Sequence, residues 1–342
     1  MPSGTVLVTG ASTGIGEATA LHLKELGFDS VGAVRKDEDA ERLRSRGLRT
    51  VKLDVTDPAS ISAARAELGD GPLAGLVNNA GIAVAGPLEF LPLDQLRLQL
   101  EINLVGQVAV TQQFLPALRA GRGRIVNLSS IGGRVALPLV AAYNASKFAL
   151  EGISDSLRRE LHGQGVDVIL IEPGGVKTPI WKKGNELADE IQQQMPPEAE
   201  RLYGSMVAAL RRETVKIEQK TGIEPSVVAE VIGRALTAKR PRTRYLVGTD
   251  AKIRGPVAKI LPDRLLDRAI ARQLSQRRQT KAKATGWWRR CSHLGLSSSQ
   301  TSSITRSFSS ASSQPAPSAA AVCSLSRCTW VSIATGSPDA LS

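Results

Sequence analysis

The chain begins with an apolar run that leads into a glycine-rich turn, Thr5-Val6-Leu7-Val8-Thr9-Gly10-Ala11-Ser12-Thr13-Gly14-Ile15-Gly16. The apolar run predicts a buried strand, and the residues after the turn predict a helix. Glycines allow a tight turn and let the backbone come close to a pyrophosphate bound at the positive amino end of that helix. Their spacing is G-x-x-x-G-x-G, which differs from the more familiar G-x-G-x-x-G. The prediction of nucleotide binding therefore depends on the strand, the turn and the helix together.

Short apolar runs alternate with stretches of helical period as far as about residue 250. Strands are predicted near residues 5–9, 30–34, 50–53, 73–77, 123–128, 166–171 and 244–248. Helices are predicted near residues 15–26, 38–45, 58–67, 93–119, 141–162 and 225–238. This alternation is typical of an α/β domain. We expect a doubly wound, Rossmann-type parallel seven-stranded sheet with helices on both faces.

Three further segments define the domain organisation. Residues 179–222 are an insertion within the 1–250 dinucleotide-binding domain, and they follow the sixth strand. Because ligands of an open α/β sheet bind beyond the carboxyl ends of its strands, we expect this insertion to cover a substrate; a plain surface loop is the alternative. Residues 251–280 form an amphipathic extension. Residues 281–342 are rich in Ser, Ala, Thr, Gln and Pro, which predicts a disordered tail.

Charge is unevenly distributed along the chain. The protein has 342 residues, of which 42% are hydrophobic, and a formal net charge of +12. Eight Lys or Arg residues and a single acidic residue lie from Gln276 onward, so the body is only modestly basic. No nucleic-acid partner is expected. The alternative is that nucleic acid binds through the basic tail, where Trp287-Trp288 are the only aromatic residues interleaved with the Lys and Arg residues.

The cysteines and the amino terminus bear on location and on metal binding. Cys291, Cys323 and Cys328 all lie near the carboxyl terminus, so the body offers no thiol for a disulfide, a metal site or nucleophilic catalysis. We expect no metal. No apolar run has the length of a membrane span, and the amino terminus lacks the pattern of a secretory signal. A cytoplasmic protein is the expectation.

The end of the second strand indicates which dinucleotide would bind. The apolar run Ser30-Val31-Gly32-Ala33-Val34 ends without the acidic residue that accepts hydrogen bonds from an NAD ribose, and it continues as Arg35-Lys36. Two cations there would bind a 2′-phosphate. We therefore expect NADP(H) in preference to NAD(H); an exposed basic turn without a ligand is the alternative.

Small and polar residues follow the next two strands. Asp54-Val55 closes the third strand, where a carboxylate would reach an adenine amino group. Asn78-Asn79-Ala80-Gly81 closes the fourth, where small residues allow close approach of the backbone. The residues expected to contact the dinucleotide up to this point are Gly10, Ser12, Thr13, Gly14, Ile15, Gly16, Arg35, Lys36, Asp54, Val55, Asn79, Ala80 and Gly81.

A tyrosine and a lysine lie four residues apart in Ala142-Tyr143-Asn144-Ala145-Ser146-Lys147, and Ser130 precedes the tyrosine by thirteen residues. On a helix this spacing places Tyr143 and Lys147 on one face. A phenol with an ordinary pKa of about 10 is a poor proton carrier at neutral pH, and a nearby ammonium stabilises its phenolate. These residues indicate a nicotinamide-dependent enzyme that acts on an alcohol or a ketone.

Together the motifs resemble those of the short-chain dehydrogenase/reductase family over about residues 4–250. They are T-G-x-x-x-G-x-G, N-N-A-G, the set Asn103, Ser130, Tyr143 and Lys147, and Pro173-Gly174-Gly175-Val176-Lys177-Thr178. The resemblance implies that Tyr143 is the general acid or base and that Lys147 lowers its pKa and binds the nicotinamide ribose. It also implies that Ser130 orients the substrate oxygen and that Asn103 supports a water-linked proton path to the lysine.

The resemblance further assigns the exit of the sixth strand to the nicotinamide. Pro173 and Gly174 mark that exit, and the backbone around Val176 with the hydroxyl of Thr178 would hold the carboxamide. Family members often pair through the helices predicted near 93–119 and 141–162, so a homo-oligomer is expected. Residues 240–252 are similar to the late segment of the retinol and hydroxysteroid dehydrogenase branch.

A lipophilic alcohol or ketone is the expected substrate. The candidate substrate-binding residues are Ser130, Ile131, Val135, Leu137, Tyr143, Ile180 and Trp181, with Leu139, Tyr203 and Met206 as further pocket candidates. Two alternatives share the scaffold: a reductase of 3-oxoacyl or other small ketones, and a catalytically silent cofactor-sensing protein. Residues 252–275 carry apolar side chains among Lys and Arg, which suits a peripheral membrane contact or packing against the body or another subunit.

Overall fold

A computed structural model describes residues 3–272 of the chain. The predicted tail at 281–342, the end of the amphipathic extension and the three cysteines lie outside these residues. The strands are β1 (Thr5–Thr9), β2 (Asp29–Val34), β3 (Arg49–Lys52), β4 (Leu73–Asn78), β5 (Arg124–Leu128), β6 (Asp167–Pro173) and β7 (Arg244–Val247). The helices are α1 (Gly14–Glu25), α2 (Asp37–Ser45), α3 (Pro58–Leu68), α4 (Leu93–Leu100), α5 (Gly106–Gly121), α6 (Ala141–Glu160), α7 (Ile180–Gln193), α8 (Pro197–Lys216), α9 (Pro225–Thr237) and α10 (Thr249–Ile260), followed by helical residues 263–272.

The seven strands form one parallel sheet in the order β3-β2-β1-β4-β5-β6-β7. The predicted doubly wound fold is confirmed. The chain builds the sheet outward from β1 in one direction and then from β4 in the other. The carboxyl ends of β1 and β4 therefore flank a crevice, which is where ligands bind in open sheets of this kind.

Strand β1 lies at the centre of the core. Val6 and Val8 belong to an apolar cluster with Leu23 of α1 and Ile232 of α9. Leu7, between them, belongs to the second cluster, on the opposite face of the sheet. Because successive side chains of a strand alternate between faces, an uninterrupted apolar run requires helices on both sides of the sheet.

The sequence predicted one continuous helix near 93–119, but the structure has two α-helices joined by a π-helical turn. Helix α4 ends at Leu100, residues Glu101–Val105 form a π-helical turn, and α5 follows. The widened turn places Asn103 in the interior, where its side-chain oxygen accepts a hydrogen bond from the backbone nitrogen of Ile82 at 2.9 Å and its amide donates to the Ile82 carbonyl at 3.0 Å. Period analysis misses such a turn because it is a single turn inside an otherwise helical stretch, too short to change the pattern of a longer window.

The insertion at 179–222 is largely helical. It contains α7, α8 and a π-helical turn at Ile217–Thr221. Pro197 occupies the first position of α8, where a missing backbone N–H costs no hydrogen bond. Residues of both helices line the same cleft as the ends of the strands, so the insertion lies where a substrate cover was expected.

Two helical faces expose apolar side chains. Phe148 on α6 is 46% exposed and Val105, before α5, is 48% exposed. Farther along, Ile253, Ile260 and Leu265 are exposed as well. Among residues 3–272, no segment covers these apolar side chains, and the expected subunit contact and membrane contact stay predictions. In the described part of the chain, no helix combines the length and apolarity needed to cross a bilayer.

Candidate active site

A cleft runs along the carboxyl ends of the strands, from the glycine-rich turn to helices α7, α8 and α10. Most of the residues predicted from the sequence line it. They are Gly10, Ser12, Thr13, Gly14, Ile15, Arg35, Lys36, Asp54, Val55, Asn79, Ala80, Gly81, Asn103, Ser130, Ile131, Leu137, Tyr143, Lys147, Pro173, Gly174, Val176, Thr178, Ile180 and Trp181. Residues separated by up to 171 positions along the chain thus meet at one edge of the sheet.

The glycine-rich turn has little room for side chains. Gly10 has φ +64° and Gly14 has φ +61°, both in the left-handed region that favours glycine. A Cβ on Gly10 would lie 2.8 Å from the Cα of Ala80. One on Gly16 would lie 2.2 Å from the Gly10 carbonyl oxygen. Gly16 is therefore needed for close packing of helix and turn. It is not among the residues that line the cleft, and its predicted contact with the dinucleotide stays a prediction.

Asn79 holds the turn in place. Its side-chain amide donates to the carbonyl oxygens of Thr9 at 2.9 Å and Gly10 at 3.1 Å. The Thr9 hydroxyl in turn accepts from the backbone nitrogens of Asn79 and Ala80. These bonds satisfy backbone groups at the ends of β1 and β4 and leave the amino end of α1 facing the cleft.

Ser130, Tyr143 and Lys147 come together where β5 ends. Ser130 begins a 3₁₀ turn at Ile131–Gly133, and its hydroxyl accepts from the Gly132 nitrogen at 3.0 Å. Lys147 is buried, and its Nζ donates to the Leu128 carbonyl at 2.6 Å. That nitrogen lies 5.8 Å from the centroid of the Tyr143 ring. The helical spacing of four therefore does bring the ammonium beside the phenol.

The surroundings move both pKa values. Burial raises the pKa of Tyr143, and the Ser130 hydroxyl opposes that rise, so the phenol is protonated at neutral pH. Burial lowers the pKa of Lys147 from 10.5 to about 8, and the carboxylate of Glu151 acts in the opposite direction. At pH 7 the lysine is still mainly an ammonium ion. The pair thus consists of a neutral phenol and a cation.

At the other end of the cleft, Arg35 and Lys36 follow β2 as predicted. The Nη1 atom of Arg35 lies 3.9 Å from the Asp54 Oδ2 atom, and the Arg35 side chain is 68% exposed. The other carboxylate oxygen of Asp54 accepts hydrogen bonds from the backbone nitrogen and the hydroxyl of Thr56. Arg35 is therefore held only loosely and can turn toward a ligand.

The family model for short chain dehydrogenases matches residues 4–189, which carry the glycine turn, Asn79 and the Ser130, Tyr143 and Lys147 set. The chain belongs to the short-chain dehydrogenase family. It is therefore of the oxidoreductase class.

Curated relatives and solved structures agree with this family. Human retinol dehydrogenase 16 is 40% identical over 77% of this chain and 86% of its own length. The NADPH-dependent 3-dehydrocapnine reductase of Ornithobacterium rhinotracheale is 35% identical over 79% of this chain and 97% of its own length. A short chain dehydrogenase from Burkholderia cenocepacia in complex with NADP superposes with a TM-score of 0.62 at 25% identity, covering 78% of this chain and 97% of that one.

Two predicted substrate residues of this short-chain dehydrogenase lie elsewhere. Val135 is 7% exposed and is not among the residues that line the cleft. Tyr203 of α8 points away, donating its hydroxyl hydrogen to Glu89 at 2.8 Å. Leu139 does line the cleft, with a left-handed φ of +66° and its carbonyl accepting from the Gly86 nitrogen at 2.7 Å. The direction of a side chain in an irregular loop cannot be inferred from periodicity.

Several lining residues were missed in the sequence. Asp250, at the start of α10, accepts from the Gly175 nitrogen at 2.9 Å and so holds the loop after β6. Glu38 and Asp39 of α2 line the cleft beside Arg35 and Lys36. An acidic residue in the first turn of a helix is ordinary, so no local signal points to these positions. Trp181 was predicted, and its indole nitrogen donates to the Val176 carbonyl at 2.6 Å.

Proposed function

We propose that the protein is an NADP(H)-dependent oxidoreductase that interconverts an alcohol and a ketone or aldehyde on a lipophilic substrate of the steroid or retinoid type. The observation that carries the proposal is the meeting of Ser130, Tyr143 and Lys147 in a cleft that begins at the glycine-rich turn. A phenol, a hydroxyl and an ammonium at one point suit proton transfer to a substrate oxygen.

The residues of the cleft fit a dinucleotide. The backbone of Gly10 and Gly14 and the first turn of α1 offer N–H groups to a pyrophosphate where a Cβ would collide with Ala80 or Thr178. Val176 and Thr178 would hold the nicotinamide end, with Lys147 near the ribose. When bound, the nicotinamide supplies or accepts the hydride.

Tyr143 has the proton-transfer role in this proposal. Reduction of a carbonyl leaves charge on the substrate oxygen, which must gain a proton. The neutral phenol is the form that can donate it, and its raised pKa favours that form before reaction. Ser130 donates a second hydrogen bond to the same oxygen and fixes its position. In the opposite direction the phenolate accepts the alcohol proton.

Lys147 stabilises the charge that proton transfer leaves on Tyr143. Its ammonium is buried and lies 5.8 Å from the centroid of the ring, and a charge shielded from solvent in this way interacts more strongly than one in bulk water. Asn103 contacts Ile82 and, at 3.3 Å, the Ser146 hydroxyl beside Lys147. A water-linked proton path from Asn103 to Lys147 is part of the proposal.

Substitution of Arg35 by Asp should change the cofactor preference. The carboxylate would repel a 2′-phosphate that the guanidinium attracts, so we expect the ratio of kcat/KM for NADPH to that for NADH to fall at least about tenfold. Steady-state kinetics with both cofactors measure this ratio. Arg44→Asp on the exposed side of α2 makes the same charge change away from the cleft and should leave the ratio unchanged. Equal ratios in the two variants would refute the role of Arg35.

The substrate end of the cleft is mainly apolar. Ile131, Leu137, Leu139, Ile180, Trp181, Met206 and Leu210 line it. A smaller cavity under the insertion shares Ala85, Leu139, Asn185 and Leu210 with the cleft and continues toward Met195 and Val207. Burial of apolar substrate surface there would be favourable. The similarity to a retinol dehydrogenase supports the same substrate class.

A panel of carbonyl compounds tests the substrate class. We expect NADPH oxidation with steroid or retinoid carbonyls to give a kcat/KM at least about tenfold higher than with small ketones. The reason is that a larger substrate buries more apolar surface against the lining of the cleft, which makes its binding free energy more favourable. Absorbance at the NADPH band follows the reaction. Preference for a carrier-bound 3-oxoacyl compound would support the alternative reductase. If none of the carbonyl compounds oxidises NADPH in a single turnover, the result would support a cofactor-sensing protein.

A further inference from the structure

A buried carboxylate lies near the end of β6, one residue before Pro173, which is the last residue of that strand. It belongs to Glu172, whose side chain is 0% exposed. Burial raises the pKa of this carboxyl, and the charge of Arg134 opposes the rise. A charged or polar group costs free energy when it is buried without partners. The position of Glu172 therefore depends on the cations around it.

Arg134 is the closest of these cations. Its Nη2 atom donates to Glu172 Oε1 at 2.7 Å, and its Nε atom lies 2.6 Å from Glu172 Oε2 as an ion pair without good hydrogen-bond alignment. Arg134 directly follows the 3₁₀ turn that Ser130 begins, and its backbone nitrogen donates to the Ile131 carbonyl at 3.0 Å. Two contacts between Arg134 and Glu172, one to each carboxylate oxygen, thus join the Ser130 turn to the end of β6.

A second arginine joins the pair to helix α6. The Nε atom of Arg244, on β7, lies 3.4 Å from Glu172 Oε1 and donates to Glu151 Oε2 at 3.0 Å. Its Nη2 atom donates to Asp155 at 2.8 Å. Glu151 and Asp155 follow Lys147 at spacings of four and eight, so they continue the stripe of α6 that carries the catalytic candidates. Arg158 also pairs with Asp155.

We propose that Arg134 and Glu172 are a positioning pair for the reaction, which holds the Ser130 turn and the start of the loop after β6 (residues 174–178, the nicotinamide loop) in register with Tyr143 and Lys147. The inference rests on the proposed function. Three elements must meet for proton and hydride transfer: the turn with Ser130, the end of β6 with the nicotinamide loop after it, and the helix with Tyr143. The pair touches the first two directly, and Arg244 with Glu151 connects it to the third.

The pair makes no contact with the reacting groups in the described structure, so its effect is one of alignment. Lys177 and Trp181 tie the nicotinamide loop at its far end, by bonds to Glu224 and to the Val176 carbonyl. Arg134 and Glu172 act at its beginning. An ion pair between a buried carboxylate and a mostly covered, planar guanidinium fixes both distance and orientation, which an apolar contact of the same size does not.

Arg134→Met tests the inference, because it keeps a long side chain and removes the charge. We expect kcat to fall about ten- to a hundredfold, since small misplacements of reacting groups are that costly, while the Kd for NADPH changes less than about threefold. The deuterium isotope effect on kcat, measured with NADPH labelled at the transferred position, should rise because hydride transfer becomes slower. Arg134→Lys restores one cationic contact and should recover part of kcat.

Arg124→Met is the matched control. Arg124 is 17% exposed, against 14% for Arg134, and it also pairs with a carboxylate, Asp167, at 3.4 Å. It lies at the opposite end of the sheet, at the start of β5. We expect this variant to lose thermal stability while kcat and the isotope effect stay within about twofold of the unmodified protein.

The outcomes separate a positioning role from a structural one. The kcat of Arg134→Met and that of Glu172→Gln are each measured below the melting temperature of the variant. If both values stay within about twofold of the unmodified protein, as expected for Arg124→Met, the inference is wrong. If Arg134→Met does not fold, Glu172→Gln, which preserves side-chain shape, and Arg134→Lys give the answer. Tyr143→Phe is measured alongside. If that variant keeps full activity, the proposed function itself is wrong. If Tyr143→Phe is inactive while the Arg134 variants keep the unmodified kcat, only the positioning inference is wrong.

Discussion

Tyr143→Phe should lose about 10²- to 10⁴-fold in kcat, which is the usual contribution of general acid–base catalysis. The variant keeps the aromatic ring next to Gly132, so packing is preserved, and it loses the hydroxyl that exchanges a proton with the substrate. Steady-state turnover with NADPH and the best carbonyl substrate measures the loss. Fluorescence titration should show NADPH binding within about threefold of the unmodified protein, because cofactor contacts extend over the whole cleft.

Tyr245→Phe provides the matched control for this prediction. Tyr245 is half-buried on β7, and its hydroxyl accepts from the Arg242 nitrogen at 3.0 Å, away from the cleft. Its replacement should cost about 1 kcal/mol of stability or less and leave kcat unchanged. Equal kcat values for the two variants would mean that the proton comes from another group.

Lys147→Met should abolish most turnover and at the same time stabilise the fold. The ammonium is buried, and its pKa of about 8 against an ordinary 10.5 means that its charge costs about 3 kcal/mol of folding free energy at neutral pH. Loss of the hydrogen bond to the Leu128 carbonyl offsets about 1 kcal/mol of the gain. We expect the free energy of unfolding at pH 7 to rise by about 1 to 3 kcal/mol, as measured by chemical denaturation.

The pH dependence gives this prediction a definite sign. Between the folded pKa of about 8 and the unfolded value of 10.5, the unfolded chain binds more protons at this position than the folded protein. Stability of the unmodified protein should therefore gain from rising pH in that window, and the advantage of Lys147→Met should shrink. Above the window, the variant should have lost its advantage. A stability difference that does not change with pH would show that the lysine charge is not the cause.

Lys24→Met separates this effect from the general loss of a lysine. Lys24 also donates to a backbone carbonyl, that of Arg46 at 3.1 Å, but it is exposed on α1 and far from the cleft. Its replacement should change kcat by less than about twofold and stability by less than about 0.5 kcal/mol. A free energy of unfolding that falls in Lys147→Met would indicate that packing at this site outweighs the cost of the buried charge.

Prediction from the sequence succeeded where a short stretch carries its own signal. The boundaries of β1, β4 and β6 came within about two residues, because apolar runs with Gly, Asn or Pro at their ends are local patterns. The Tyr143 and Lys147 pair was found because its partners share one helix. The π-helical turn at Glu101–Val105 was missed because a single five-residue turn between two α-helices is too short to stand out in a periodicity window.

Other residues owe their role to distant neighbours. Gly16 packs against the Gly10 carbonyl, and this close approach depends on how α1 lies on the sheet, which the spacing of the glycines does not specify. Val135 was predicted to face the substrate and lies buried in the irregular loop. Glu172 looks like an unremarkable residue before a proline until Arg134 and Arg244, from two other elements, are seen to meet it.

By itself the sequence determined the parallel α/β architecture, the glycine-rich turn between β1 and α1, and the family, since each depends on residue types at short, regular spacings. The tertiary structure alone decided which side chains face the cleft, how far burial moves the pKa of Lys147, and which charges surround Glu172. The physical reason is range. Hydrogen-bond periodicity acts over a few residues of chain, whereas burial and charge interactions act through space between segments that only folding brings together.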